Sequence, residues 1–307
     1  MNEVPNKQIL EEVAVELGID PSFIEKDWYV TQLIAEMSHF EFIDAQIVFT
    51  GGTALSKAHR IIKRFSEDTD FRIISEKINA FSKNQQRKIL SDLKKNIVEH
   101  LKKTFLIDDA LIKSRNENRF ISLEIDYPTF FNRKESLRPH ILVEFTFTRM
   151  AIDPIKLPVS SLVNELLEKE AEVSSIYCTD SVENACDKLS ALIWRVADRD
   201  RASADDDATI VRHLYDLAAM GETVIKRPGF KRLAVETIQN DDGRSDKMKG
   251  LGLDQKINGL LNILKEDKIY EREYGTFVKG MFYGNEQLHD FKEATVQLER
   301  LLESITS

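Results

Sequence analysis

The segment that most constrains this chain runs from residue 45 to residue 71. A short apolar, β-branched run, AQIVFT, ends in Gly51-Gly52 and passes into the helix-like ALSKAHRIIKRF. It then reaches Ser66-Glu67-Asp68-Thr69-Asp70-Phe71, where apolar and polar residues alternate. The order is strand, glycine turn, helix, strand. Fourteen residues separate Thr53 from Asp68, enough for a helix and a return to the neighbouring strand. With side chains alternating along a strand, Asp68 and Asp70 point to one face. Two carboxylates so placed repel unless a cation sits between them. Oxygen donors are hard ligands, so Mg²⁺ is the expected ion, shared with substrate phosphates rather than enclosed by protein, with Mn²⁺ as the substitute. Gly51 and Gly52 would let backbone amides approach phosphate, the following helix would offer its N-terminus, and Thr53 would add a hydroxyl donor.

The rest of the chain supports a mixed architecture. Only 12 glycines and 7 prolines occur in 307 residues, too few for a turn-rich all-β protein. Hydrophobic residues make up 42% and charged residues 31%, which excludes wholesale disorder. Two helices are expected in the first 40 residues, the second capped by Asp20 with Pro21 in its first turn. Strands are expected at 46–50, 69–74, 119–127 and 139–149, with a basic amphipathic helix over 82–105. Two prolines and no clear period mark 150–160 as a linker. Beyond it, helices are expected over 182–200, 205–220, 229–239, 255–265 and 286–304, with 240–252 as an exposed mobile loop. The fold class is therefore α+β: a small mixed sheet with flanking helices in 1–155, then a helical bundle in 156–307 that completes the active-site cleft.

Charge and cysteine usage narrow the function classes. Net charge is −9, yet residues 46–149 hold twenty basic against thirteen acidic residues. A basic segment in an acidic chain suits an anionic ligand, although the solvated face of the 82–105 helix accounts for much of the excess. Lys57, Arg60, Lys63 and Arg64 lie between the glycine turn and the carboxylates, where phosphate or RNA backbone contact and simple solvation are equal readings. Cys178 and Cys186 have no C-x-x-C spacing and no histidine at metal-ligand distance in sequence, so structural zinc is not expected. No apolar run is long enough to span a bilayer, and the acidic N-terminal stretch does not resemble a signal peptide, so a cytoplasmic protein is expected.

The stretch FTGGTALSKAHRIIKRFSEDTDFRI resembles motif I of the DNA polymerase beta-like nucleotidyltransferase superfamily. More narrowly, it is similar to the AbiEii/AbiGii toxin family, which includes MenT-like toxins. Upstream, EKDWYVTQLI at 25–34 resembles that family's leading helix. Downstream, DKLSAL at 187–192 and RHLYDL at 212–217 resemble two further family segments, so the likeness spans about residues 20 to 220. Thr69 stands where an aliphatic residue is usual, and Asp187 where Glu is usual.

The resemblance implies two-metal nucleotidyl transfer with Asp68 and Asp70 as catalytic ligands. A third carboxylate is expected from an adjacent strand. Glu144, mid-strand in ILVEFTF, is the choice, with Glu124 and Asp126 as alternatives. Gly51, Gly52, Thr53 and Lys57 would bind nucleotide. Lys188, otherwise a solvated helix lysine, becomes a triphosphate contact, and Asp216 orients Lys188 or the substrate. His213 is more simply structural, since phosphoryl-type transfer needs no histidine base. The implied activity is that of a toxin in a bacterial toxin-antitoxin or abortive-infection system, moving NMP from an NTP to RNA, with the 3′ end of tRNA as the candidate acceptor. A cognate antitoxin encoded nearby and no membrane partner go with that reading. The rivals are transfer to a small molecule, and a non-catalytic nucleotide-binding regulator.

Overall fold

The computed structural model describes residues 3–132, 137–204, 206–283 and 288–306. The chain divides into two compact units, one holding residues up to Arg60 together with Phe65–Thr179, the other Ile61–Arg64 together with the chain from Asp180 onward.

In the first unit, α1 (Lys7–Leu17) and α2 (Pro21–Ser38) precede β1 (Gln46–Thr50) and α3 (Gly51–Lys57). Next come β2 (Thr69–Ile74), α4 (Glu76–Ala80), α5 (Lys83–Leu101), β3 (Lys113–Arg115), β4 (Phe120–Ile125) and β5 (Ile141–Phe147). The unit closes with β6 (Ile155–Val159), α6 (Leu162–Leu166) and β7 (Val173–Cys178). The seven strands form one mixed sheet in the order β3-β4-β5-β2-β1-β7-β6. β2 lies antiparallel to β1 and parallel to β5, so the segment carrying the paired aspartates is interior to the sheet.

Alternation decides which face is sealed. Thr69, Phe71 and Ile73 of β2 are buried, whereas Asp70 and Arg72 are half-buried on the other side, and β5 repeats the pattern with Val143 and Phe145 against Leu142 and Glu144. Phe71 stacks between Phe49 and Phe145, with ring centroids 5.6 and 5.2 Å away. Leu33, Ile34 and Met37 of α2 and Leu90, Leu93, Ile97 and Leu101 of α5 join the same apolar cluster. α5 starts at a capping box in which Ser82 and Gln85 satisfy each other's amides.

Four expectations change. The 150–160 segment is not a linker: Ile155–Val159 pairs with β7, and β7 in turn pairs with β1 at Phe49 and Cys178, so the sheet extends to Thr179 before the second unit begins. Tertiary pairing overrides the lack of period there. The helix after the glycines begins at Gly51 itself and ends at Lys57, so it has only seven residues.

The second unit contains α7 (Ser181–Asp198), α8 (Val211–Ile225), α9 (Phe230–Asn240), α10 (Leu253–Glu266), α11 (Ile269–Phe277) and α12 (Phe291–Thr306). α7 packs on α8, α9 and α10, while α12 covers α8, α9 and α10. The helix expected at 205–220 starts later, at Val211, with Asp206 and Asp207 pairing instead with Arg199 and Arg195; Asp205, like residues 286 and 287, lies outside the described residues. The 240–252 segment is pinned rather than loose, since Met248 is buried and the Ser245 hydroxyl donates to Asp198 Oδ1 at 2.8 Å.

Candidate active site

Asp70 sits on β2 opposite Thr50 of β1 and Glu144 of β5 in strand register. Asp68 precedes β2 and continues the same half-buried alternation, so Asp68, Asp70 and Glu144 belong to the face of the sheet away from the apolar cluster. Of the alternatives, Glu124 is engaged by Lys113 at 3.0 Å and by His140 at 3.5 Å, and Asp126 lies exposed beyond the end of β4.

The glycine turn serves these carboxylates sterically. Gly51 has φ +79°, and a Cβ placed on it would lie 2.1 Å from Asp70 Oδ2. Only a residue without a side chain lets the Asp70 carboxylate rest there. Thr53 is wholly buried: its hydroxyl donates to the Asp68 carbonyl and lies 3.0 Å from Ser66 Oγ. Thr53 is thus committed to the backbone of Asp68, not turned toward a phosphate. With α3 a bare two turns long, its dipole offers little to an anion.

Lys57 moves out of the expected nucleotide site. It is buried, and its Nζ lies 2.6 Å from Asp27 Oδ1, while Asp27 Oδ2 accepts from the Leu162 amide at 2.7 Å. Burial pushes the Asp27 carboxyl up, against the pull of Lys57. Lys57 therefore ties α3 to α2 and α6.

A second cluster lies within the helical unit. Asp216 of α8 is fully buried, and the Arg64 guanidinium grips it with Nε and Nη2, each at 2.7 Å from one oxygen. Lys188 of α7, 6% exposed, approaches Asp216 Oδ2 to 2.9 Å. Burial alone would raise the Asp216 carboxyl, but the two cations outweigh it and hold it well below the usual carboxylate range. His213, one turn earlier on α8, is pushed down by burial and by the Lys188 charge, so it is neutral, and its Nδ1 has no partner. For Arg64 the sequence leaves phosphate or RNA contact and simple solvation as equal readings; in the structure it is a sealed ion-pair partner. The clue was its fixed fork, which suits a buried carboxylate better than a phosphate chain in water.

Among the described residues, no three carboxylate, imidazole or thiol groups come close enough to enclose a metal ion. An open site of oxygen donors nevertheless fits a Mg²⁺-type ion, which keeps waters and takes ligands from phosphates. Asp70, accommodated by the missing Gly51 side chain and beside Glu144 in strand register, offers oxygen donors of the kind such an ion takes.

A mixed sheet with a D-x-D pair beside a glycine turn is in keeping with the nucleotidyltransferase resemblance of the sequence, and a family model shows that class. The family model described as nucleotidyl transferase AbiEii toxin, type IV toxin-antitoxin system, matches residues 33–296, and the chain belongs to that family. Its fold is similar to that of MenT4, a nucleotidyltransferase toxin from Mycobacterium tuberculosis H37Rv, with 17% identity over 97% of this chain and 89% of that chain and a TM-score of 0.60. A putative nucleotidyltransferase from H. pylori also aligns, at 14% identity over 98% of this chain and 96% of that one, with a TM-score of 0.44. No curated protein matches. An NTP substrate, a divalent metal and an antitoxin partner accompany the family. Among the described residues, no helix is long and apolar enough to cross a membrane.

Proposed function

We propose that this chain is a Mg²⁺-dependent toxin that transfers NMP from an NTP to RNA, with the 3′ end of tRNA as acceptor. The observation that carries the reading is the Asp70 carboxylate, set in the space left by Gly51 and beside Glu144 in strand register, with Asp68 on the same face. Asp68 and Asp70 hold the metal, with Glu144 adding negative charge. When bound, the ion supplies Lewis acidity at the α-phosphorus and charge neutralisation for the leaving pyrophosphate. The acceptor hydroxyl attacks the α-phosphorus and gives up its proton to solvent, the bond from that phosphorus to the α–β bridging oxygen breaks, and pyrophosphate departs. The phosphate role of Lys188 rests on the resemblance of DKLSAL to the family segment; in the helical unit its ammonium is 6% exposed and lies 2.9 Å from Asp216 Oδ2.

An RNA acceptor is favoured by α5, where Lys83, Arg87, Lys88 and Lys95 are exposed around a buried apolar stripe. Partners for Arg87 and Lys95, Glu117 and Glu99, lie 3.9 and 3.8 Å away at exposed positions, where such pairs are weak. The test is incubation of the purified protein with each α-³²P-labelled NTP, Mg²⁺ and total RNA. Label in tRNA-sized RNA, absent with Asp68→Asn, is expected. Label confined to a small molecule, or none with any NTP, would overturn the RNA reading.

A further inference from the structure

α2 carries three consecutive charged residues, Glu25, Lys26 and Asp27, all of them buried. Asp27 holds Lys57 and the Leu162 amide. The other two hold the connection between β4 and β5. Glu25 accepts from the Phe130 amide at 2.5 Å and from the Thr129 hydroxyl. Lys26 is completely buried, donates to Glu67 Oε2 at 2.6 Å and donates to the Arg138 carbonyl at 2.9 Å. Glu67 Oε2 in turn accepts from the Arg138 amide at 2.9 Å.

Both backbone polar atoms of Arg138 are thus fixed by one sealed ion pair. Removing two charges from water is expensive, and an apolar pair would often serve stability as well. What this arrangement achieves is the placement of a single arginine. The Arg138 side chain, 40% exposed, puts Nη1 at 2.5 Å from Asp68 Oδ1. A guanidinium stays charged at any working pH. It therefore occupies, with a permanent positive charge, the carboxylate to which a divalent ion would bind.

We infer that Arg138 is the resident counter-cation of Asp68, displaced when the metal binds, and that this competition sets the site's affinity for its ion. The inference rests on the reading of Asp68 as a metal ligand. Arg138 is a positioning residue acting through Asp68, and an arginine held at both ends of its own peptide unit returns to Asp68 when the ion leaves.

Mn²⁺ binding to the full chain, followed by the electron paramagnetic resonance signal of free Mn²⁺, tests this without turnover. Arg138→Gln should bind Mn²⁺ about threefold to fivefold more tightly than wild type, the value of a part-exposed ion pair expressed as affinity. Arg138→Lys keeps the charge and should stay close to wild type. Asp68→Asn should weaken binding about tenfold or more, and adding Arg138→Gln to it should change nothing further. Unchanged or weaker binding by Arg138→Gln, with Asp68→Asn still impaired, overturns the inference and leaves the metal reading standing. A gain from Arg138→Gln that persists beside Asp68→Asn also overturns it, because the charge then acts from a distance. Wild-type Mn²⁺ binding by Asp68→Asn overturns the metal reading and the inference with it.

Discussion

Two charged clusters of this nucleotidyltransferase are built on opposite principles. In the sheet unit, Asp68, Asp70 and Glu144 share a part-exposed face, where Asp68 is 26% exposed and pairs with Arg138, itself 40% exposed. In the helical unit a single carboxylate, Asp216, is sealed under two cations, with Arg64 3% and Lys188 6% exposed. The first cluster gathers carboxylates at half-buried positions; the second gathers two cations around one buried carboxylate. On the proposed function, chemistry that needs ligand exchange falls to the part-exposed cluster, whereas the sealed one is suited to holding a lysine in a fixed position.

That contrast predicts different phenotypes for the same substitution. Asp216→Asn leaves two buried cations with no counter-charge, and should cost about 3–5 kcal/mol of stability as well as activity. Asp68→Asn, on an exposed pair, should change stability by less than about 1 kcal/mol. Urea denaturation of both variants checks this. The pH profile sharpens it. Since the folded Asp216 carboxyl lies below its unfolded value, its stabilisation is complete above the unfolded value of about 4 and is lost as pH falls through the folded one. The gap between wild type and Asp216→Asn should therefore be flat at neutral pH and narrow only below about pH 4.

Gly51→Ala should come next in size. The new methyl group collides with the Asp70 carboxylate and the residue must keep φ +79°, so the aspartate has to move. Backbone strain of this kind costs about 1–3 kcal/mol, and transfer should fall roughly tenfold or more while the circular dichroism stays native. Normal transfer by this variant would show that Asp70 does not need its observed position.

The smallest effect is a gain. Thr69 Oγ1 is buried in β2 with no partner among the described residues, where an aliphatic residue was the expectation from resemblance. Thr69→Val keeps the shape and removes the orphan hydroxyl, and should raise stability by about 1 kcal/mol in the same denaturation assay. A loss would mean that the hydroxyl is satisfied in solution.

Much of the sheet unit was legible because its signals are local. The alternation in TDFRII and ILVEFTF, the glycine pair and the Ser82 cap are each written within a few residues. β6 and β7 were not legible, since their pairing partners lie far along the chain and their own pattern is broken by Pro158 and by two successive exposed serines. Among the site residues, the D-x-D pair could be read from spacing. Arg64, Lys57 and Arg138 could not, because the partner that decides each one's role lies between 30 and 152 residues away. Buried ion pairs leave no periodic trace, so Glu25, Lys26 and Asp27 looked like the polar part of an ordinary helix.

The most direct test of the part-exposed cluster as the seat of chemistry is a change of metal preference. Asp70→Cys replaces a hard oxygen donor with a soft thiolate, which favours Cd²⁺ over Mg²⁺. Transfer of labelled NMP by Asp70→Cys should be nearly absent in Mg²⁺ and partly restored by Cd²⁺, with no such rescue for Asp216→Cys. Equal activity of Asp70→Cys in both ions, or rescue of Asp216→Cys instead, would contradict the assignment of the metal to the β2 carboxylates.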